Sequence, residues 1–358
     1  MLGCARCSVV LMIIHDLILA TRRAKLTGIE RFAINVFEAS RARNADVVAL
    51  VAPGSALAGS PQVIEAGSTL KGWLGIARKL GRFGPSSAVV CAAFPASPSL
   101  IASRAPITRV IHDAFAWTHP QNLTVQGRLM FAHFDRMMLR RYDYVQAPTV
   151  IAQNDLTGVL NTDAITVCGN APGLDCLAPA TTPLPGLTPG SFTLAVGTIE
   201  PRKNYERLIA FVKARSDLDP IVVAGRPGWG VSTERLAAAS QLLGDRLVWL
   251  ADTDDAQLRW LYRNSRTFLS MSHAEGFNMP LVEAGVLGCP IVCSDLPIHR
   301  AVAPPWARFV GIDSSDDVLR DAIAIAPYPS ETELDTYRAR YSWQSVAAHI
   351  EAPLRGIA

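Results

Sequence analysis

Charge is in short supply in this sequence, and neither sign prevails. Asp, Glu, Lys and Arg make up 18% of its 358 residues, and 34 bases against 31 acids leave a net +3. A disordered chain needs high net charge and little apolar material, whereas 49% of this one is hydrophobic. A dedicated nucleic-acid binder carries a strong basic excess, which is also missing. So is any long apolar run. The two uncharged stretches, 83–103 and 177–199, are interrupted by Pro85, Pro95 and Pro98 and by Pro179, Pro183, Pro185 and Pro189. Neither supplies the roughly 20 apolar residues of a spanning helix. Near the start only Cys7–Ile14 is apolar; it runs into His15-Asp16, and no small-residue cleavage site follows. That reads as a buried strand rather than a signal peptide. The seven cysteines are odd in number, which argues against a disulfide framework and for a reducing, cytoplasmic setting. Cys4 and Cys7, and Cys289 and Cys293, are suggestively spaced but lack a second Cys/His pair at ligand spacing, so no structural metal is expected.

What the chain has instead is alternation. Apolar, β-branched runs of three to seven residues recur at Ser8–Ile14, Asp46–Val51, Ala88–Cys91, Thr108–Ile111, Tyr144–Ala147 and Ile165–Val167. They recur again at Phe192–Val196, Pro220–Ala224, Arg246–Leu250, Thr267–Leu269, Pro290–Cys293 and Arg308–Val310. Helical patterns lie between them, as at Ile29–Arg43, Gln126–Arg141, Tyr205–Arg215, Thr233–Leu243 and Asp255–Asn264. The runs show little in–out alternation, as expected of parallel strands covered on both faces. The mean hydropathy of +0.21 is then accounted for by buried sheets. The tract Ala178–Gly190 holds four prolines and two glycines and suits no regular element. The expected fold is α/β: two Rossmann-like doubly wound domains facing each other, residues 1–180 and 190–340. The amphipathic stretch 341–358 (Trp343, Val346, Ala347, Ile350) is expected to be a helix packing back across the hinge.

Chemistry concentrates in the second half. In HAEGFNMPLVEAGVLGCPIVCSD, 273–295, Glu275 falls in a loop after a strand and Glu283 in the helix that Pro280 helps to start. The amides of Gly276, Phe277 and Asn278 then face outward at a helix N-terminus, a place that suits phosphate, while the carboxylates suit sugar hydroxyls. In VGTIEPRKNYERLIAF, 196–211, Gly197 ends a strand, Glu200, Arg202 and Lys203 follow, and Asn204 is placed to cap the next helix. Bases at the C-terminal end of a parallel strand stand where such folds bind ligands and can neutralise a diphosphate. A glycine-rich loop, AGRPGWG at 224–230, follows another strand. A dinucleotide-dependent enzyme is rejected, because no glycine follows the first strand before Gly28.

These motifs, in this order, resemble glycosyltransferase family 4 (group 1) of the GT-B glycosyltransferases. The resembling pieces are GTIEPRKN, then LVWLADTDDAQLRWLYRNSRTFLSMS, then SHAEGFNMPLVEAGVLGCPI, and the near-terminal YSW. In the first half TGIERFAINVF (27–37), VIHDAFAWTHP (110–120) and NAPGLDCLAP (170–179) resemble the family's opening helix, its H-D segment and the end of its first domain. The resemblance implies a retaining hexosyltransferase using a nucleotide-sugar donor without a metal or other cofactor. It implies that Lys203 and Arg202 contact the donor diphosphate, that Glu275 binds sugar hydroxyls with the amides of Gly276–Asn278, and that Glu283 holds the ribose. Gly197 and Gly28 would let backbone approach the donor, His112 would lie beside the reactive carbon, and Asp113 would orient His112 or the acceptor.

Three positions depart from the family pattern. Asn278 stands for a glycine, Thr198 for an arginine that Arg226 would replace, and Met279 for a common leucine. The T-G-I-x-R and H-D variants resemble members that build bacterial O-antigens and exopolysaccharides, often from GDP-mannose, on lipid-linked acceptors. The alternative is a non-catalytic sugar- or nucleotide-binding relative acting as a partner subunit; retention of Lys203, Glu275 and Glu283 argues against it. A peripheral contact with the inner face of a membrane would use the basic amphipathic stretch Lys71–Phe83, with Trp73, Arg78, Lys79 and Arg82.

Overall fold

Branched side chains such as Ile13, Ile14, Val47 and Val48 are stiff at χ1 and suit a pleated surface covered on both sides. In the computed structural model such runs line up as parallel strands. The structure describes residues 12–23, 26–179, 181–228 and 231–356. Cys4 and Cys7, the tract 8–11, Trp229 and Gly230 lie outside them. The chain divides into two units, Met1–Ala171 with Ser342–Ala358, and Pro172–Tyr341.

The first unit holds β1 (Met12–Leu17), β2 (Val47–Val51), β3 (Val63–Glu65), β4 (Ser87–Cys91), β5 (Ile107–Val110), β6 (Tyr144–Ala147) and β7 (Ile165–Val167). Their order is β3-β2-β1-β4-β5-β6-β7. β1 runs three residues beyond its expected end at Ile14, because His15 and Asp16 are buried despite their polarity. The short edge strand β3 was not expected. One face of the sheet (Ile14, Val89, Cys91, Ile107) packs on Trp73, Ile76, Leu80, Leu100 and Met138. On the other, the helix Gly28–Arg43 lies beside the helix Trp343–Glu351. The first of these starts at Thr27, whose amide donates to Glu30 Oε2 at 2.7 Å. Trp343 meets Phe32 edge-on at 5.4 Å, and Gln146 donates to the His349 carbonyl at 3.0 Å.

One helical expectation in this unit is corrected, and one expected contact stretch is divided. The run 126–141 is not one regular helix: Arg128–Phe134 widen to π geometry, and Leu139–Arg141 tighten to a 3₁₀ turn. Within the widened turn the Ala132 carbonyl accepts from the Trp117 indole at 2.9 Å. The stretch 71–83 is likewise two short helices, Thr69–Leu74 and Ile76–Leu80, meeting at Gly75. The break turns Trp73 inward, to 6% exposure.

The second unit holds β8 (Thr193–Val196), β9 (Ile221–Ala224), β10 (Leu247–Leu250), β11 (Thr267–Ser270), β12 (Ile291–Ser294) and β13 (Arg308–Val310), in the order β10-β9-β8-β11-β12-β13. Both sheets therefore run outward in opposite senses from a central pair, the Rossmann arrangement, and ligands of such sheets sit at the strand C-termini where the order reverses. In this unit that place is between β8 and β11. The proline-rich tract follows the helix Asp255–Asn264: Thr182 N donates to the Ala256 carbonyl and Gly190 N to that of Asn264. Gly285 is required by packing, since a Cβ there would lie 2.5 Å from the Tyr337 ring.

The first unit also buries a charged pair. Arg109 on β5 and Asp135 meet at 2.8 Å with 2% and 1% of their side chains exposed. Tyr142 adds a 2.6 Å hydrogen bond to Asp135, and Arg109 Nη1 donates to the Cys91 and Val110 carbonyls. Asp135→Ala strands a buried guanidinium, so it should cost about 3–5 kcal/mol. Urea denaturation measures this, and an unchanged midpoint would refute the assignment.

Candidate active site

The loop leaving β8 begins at Gly197, whose φ of +146° lies in the region that favours glycine. A Cβ there would also lie 3.2 Å from Lys203 Cε and 3.4 Å from Tyr205 Oη. Tyr205 Oη donates to the Gly197 carbonyl at 2.8 Å and fixes this close approach. The loop after β9 presses on it from the side: a Cβ at Gly225 would overlap the Gly197 carbonyl, and one at Gly228 that of Ile199. Arg226, in that loop, is half-buried, and its carbonyl accepts from Ile199 N at 2.9 Å.

The turn Pro201–Lys203 then delivers two cations to one carboxylate. Lys203 Nζ donates to Glu275 Oε1 at 2.7 Å, and Arg202 Nη1 donates to Glu275 Oε2 at 2.8 Å. Arg202 also donates to Glu200 Oε1 through Nε and Nη2, at 2.9 and 2.7 Å. Ser272 Oγ adds a third bond to Glu275, at 2.7 Å to Oε1. The side chains of Glu200 and Glu275 are each 3% exposed, that of Lys203 10% and that of Arg202 20%. Burial alone would raise the Glu275 pKa, but Lys203 and Arg202 outweigh it and bring it to about 2. Two partly buried cations thus balance two buried carboxylates at the C-terminal ends of β8 and β11.

Asparagines in left-handed backbone hold the two loops. Asn204 (φ 56°) precedes the helix Tyr205–Ala214 but does not cap it as expected. Its amide donates to the Met271 carbonyl at 3.1 Å and ties the β8 loop to the end of β11. His273 N, donating to the Arg202 carbonyl at 2.8 Å, makes a second tie. Asn278 (φ 65°) takes the backbone conformation a glycine would. Its Oδ1 accepts from Leu281 N and starts the helix Met279–Val286, while its Nδ2 donates to Ser270 Oγ at 3.0 Å and contacts His299 Nε2 at 2.8 Å. His299 is fully buried, with Nδ1 2.7 Å from the Ser294 carbonyl. A carbonyl only accepts, so Nδ1 carries the proton and Nε2 receives the Asn278 hydrogen. Ser272 and His299 were not singled out from sequence; Ser272-x-x-Glu275 was the one local hint.

Glu283 lies in the helix Met279–Val286, 5% exposed. Its Oε1 accepts from Leu174 N at 3.0 Å and its Oε2 from Tyr262 Oη at 2.9 Å. The remaining candidates belong to the first unit. Gly28 opens its first helix and is exposed. His112 Nε2 lies 2.8 Å from the Ala92 carbonyl, and the Phe32 ring meets the imidazole edge-on at 4.7 Å. Burial lowers the His112 pKa to about 4, so the ring is neutral, with Nε2 protonated toward Ala92 and the Nδ1 lone pair available as an acceptor. The Asp113 carboxylate accepts from Phe115 N at 3.0 Å; the ring is oriented by Ala92. Among the described residues no three His, Cys, Asp or Glu side chains gather as a metal cage.

Residues 188–326, which carry this cluster, match the family model for glycosyl transferases group 1. That stretch is similar to a group 1 glycosyltransferase domain. Over 132 residues the chain is 31% identical to the serotype-specific mannosyltransferase WbdA of Escherichia coli, spanning 36% of this chain and 16% of that much longer protein. Over 278 residues it is 24% identical to the O-antigen chain mannosyltransferase RfbU of Salmonella typhimurium, 76% of this chain and 74% of that one. The crystal structure of Anabaena Alr3699/HepE in complex with UDP-glucose matches with a TM-score of 0.69 at 14% identity, over 96% of this chain and 99% of that one. The fold is accordingly GT-B, with two Rossmann-like parallel-sheet units.

Glu283→Ala would leave the Leu174 amide and the Tyr262 hydroxyl without their acceptor, at about 1–3 kcal/mol for each buried group. Glu283→Gln, which keeps one acceptor oxygen, should lose less. Thermal unfolding of both variants measures the difference, and equal, unchanged midpoints would refute a bracing role.

Proposed function

We propose that this chain is a retaining glycosyltransferase that moves a hexose, by the likeness of its relatives mannose, from a nucleoside diphosphate sugar to a glycan acceptor. The acceptor is carried on lipid, and the reaction serves cell-surface polysaccharide synthesis at the cytoplasmic face of a membrane. The observation that carries the reading is the Arg202–Lys203–Glu275 cluster, on a glycine-forced loop, at the switch point of a group 1 glycosyltransferase domain.

Breaking the anomeric C–O bond puts negative charge on the leaving diphosphate. Arg202 and Lys203 are fixed cations able to stabilise it without rearranging solvent, so no metal is required in this reading. The incoming diphosphate takes over Lys203 and Arg202 from Glu275. That frees carboxylate oxygens to accept from sugar hydroxyls, with the amides of Gly276, Phe277 and Asn278 beside them and Glu283 toward the ribose. His112 offers its neutral Nδ1 as an acceptor for a sugar hydroxyl. The acceptor oxygen forms its bond to C1 on the face from which the diphosphate departs, and its proton passes to the departing phosphate oxygen. This route needs no enzyme nucleophile and retains configuration.

A ligand stabilises the fold by RT ln(1 + [L]/Kd). In a thermal-shift panel of GDP-, UDP-, ADP- and dTDP-sugars, GDP-mannose should raise the Tm most; a flat panel would remove the donor reading. With membrane extract as acceptor source, the protein should release GDP from GDP-mannose. Lys203→Ala should slow that release about 10²-fold or more, and an unchanged rate would remove Lys203 from the reaction. Nucleotide binding without any release would mark a non-catalytic relative.

A further inference from the structure

The net charge of +3 conceals a segregation. Between Ala66 and Tyr142 the chain has ten Lys and Arg residues and only two acids, Asp113 and Asp135. Asp135 is spent internally on Arg109, and Asp113 is half-buried in its own loop. Asp143, next along, is paired to Arg141 at 2.9 Å. Lys71, Arg78, Arg82, Arg128, Arg136 and Arg140 are all exposed.

These bases share one layer of the first unit. The inner sides of the helices Thr69–Leu74 and Ile76–Leu80, the turn Pro98–Ala102 and the helical run 128–141 contribute Trp73, Ile76, Leu80, Leu100 and Met138 to a single core cluster. Trp73 and Phe134 meet at 6.1 Å, and Arg141 donates to the carbonyls of Leu100, Ser103 and Ala105. The segments are therefore neighbours, and their outer sides form one surface. That surface also exposes large apolar side chains: Leu70 (62%), Leu74 (44%), Ile101 (54%), Leu129 (58%) and Met137 (60%). Leu70 and Leu74 stand one helical turn apart, on the same side.

We propose that this helical layer docks on an anionic lipid bilayer, with its bases among the head groups and Leu70, Leu74, Ile101, Leu129 and Met137 entering the acyl boundary. A soluble polyanion would engage the bases alone; exposed apolar residues interleaved with bases fit a charged surface with an apolar interior. Trp73, an obvious anchor in the sequence, faces the core, and the apolar contact falls to the leucines. The inference deepens the function proposed above and rests on it for the purpose of docking, namely meeting a lipid-carried acceptor.

The test uses no turnover, so it can fail separately from that function. The full chain is sedimented with vesicles of phosphatidylcholine alone and with 30 mol% phosphatidylglycerol, about tenfold or more of added partitioning into the anionic vesicles being expected. The triple variant Lys71→Glu, Arg78→Glu, Arg82→Glu should lose about tenfold, and Leu70→Ser with Leu74→Ser several-fold with every charge retained. Unchanged circular dichroism and an unchanged response to GDP-mannose identify folded variants. Equal partitioning into both vesicle types overturns the proposal. So does loss in the charge variant with none in the leucine variant when a DNA duplex binds as tightly as the anionic vesicles; that pattern marks a general polyanion site. If the triple variant does not fold, Arg136→Glu with Arg140→Glu on the neighbouring segment is read by the same criteria.

Discussion

Glu275 is a carboxylate almost without access to water, and its ionisation depends on Lys203 and Arg202 reaching it. Burying a lone charge costs far more than a domain can spare, and the usual escape is protonation. Here the escape is blocked, because two cations outweigh the burial and bring the pKa to about 2. The neighbouring structure follows from keeping both cations within 2.7–2.8 Å of the carboxylate. Gly197 is needed because its φ of +146° suits no other residue, and Lys203 and Tyr205 crowd the place a Cβ would take. Asn204 is left-handed because its amide must reach Met271. Asn278 is held from two sides, by Ser270 and by a buried neutral histidine.

The same balance makes the cluster selective in what can open it. A neutral ligand offers nothing to replace the Lys203–Glu275 contact, and a single anion replaces only part of it. A diphosphate carries enough charge to satisfy both cations, and the sugar attached to it supplies hydroxyl donors to the carboxylate that is released. In the proposed reading, binding would exchange one set of charge-assisted hydrogen bonds for another, so the cations would not need to be desolvated anew. In the reaction proposed above, transition-state charge would then develop on phosphate oxygens facing these cations.

Much of the architecture was legible because buried parallel strands leave a plain signature, short β-branched runs with turn residues between helical periods. What escaped was governed by tertiary contact. β3 is a three-residue edge strand with too short a pattern to read. The run 126–141 keeps its helical period while the Trp117 indole takes a carbonyl from inside it. Trp73, offered for a membrane contact, is buried instead, because the stretch folds as two short helices meeting at Gly75 with the ring in the core. In the site, Arg202, Lys203 and Glu275 could be named because their residue types advertise their chemistry. His299 is an ordinary polar residue whose part depends on partners distant in sequence, Ser272 is marked only by its spacing to Glu275, and Asn204 is a good cap by type whose side chain instead donates to the Met271 carbonyl.

Total charge is low, but charge here is sorted by location. In the second unit Arg202 and Lys203 are matched by acids and largely hidden from water, so added salt screens them little. In the first unit the bases of the helical layer stand exposed with hardly an acid among them. At physiological ionic strength their field falls off over roughly 8 Å, so it acts only on a surface already close by. In the proposed reading, one set of cations therefore holds a small polyanion tightly at a fixed place. The other can attract only something broad, near and negatively charged. A single sum of charges hides both because the scarcity of acids in one segment is offset by acids elsewhere in the chain.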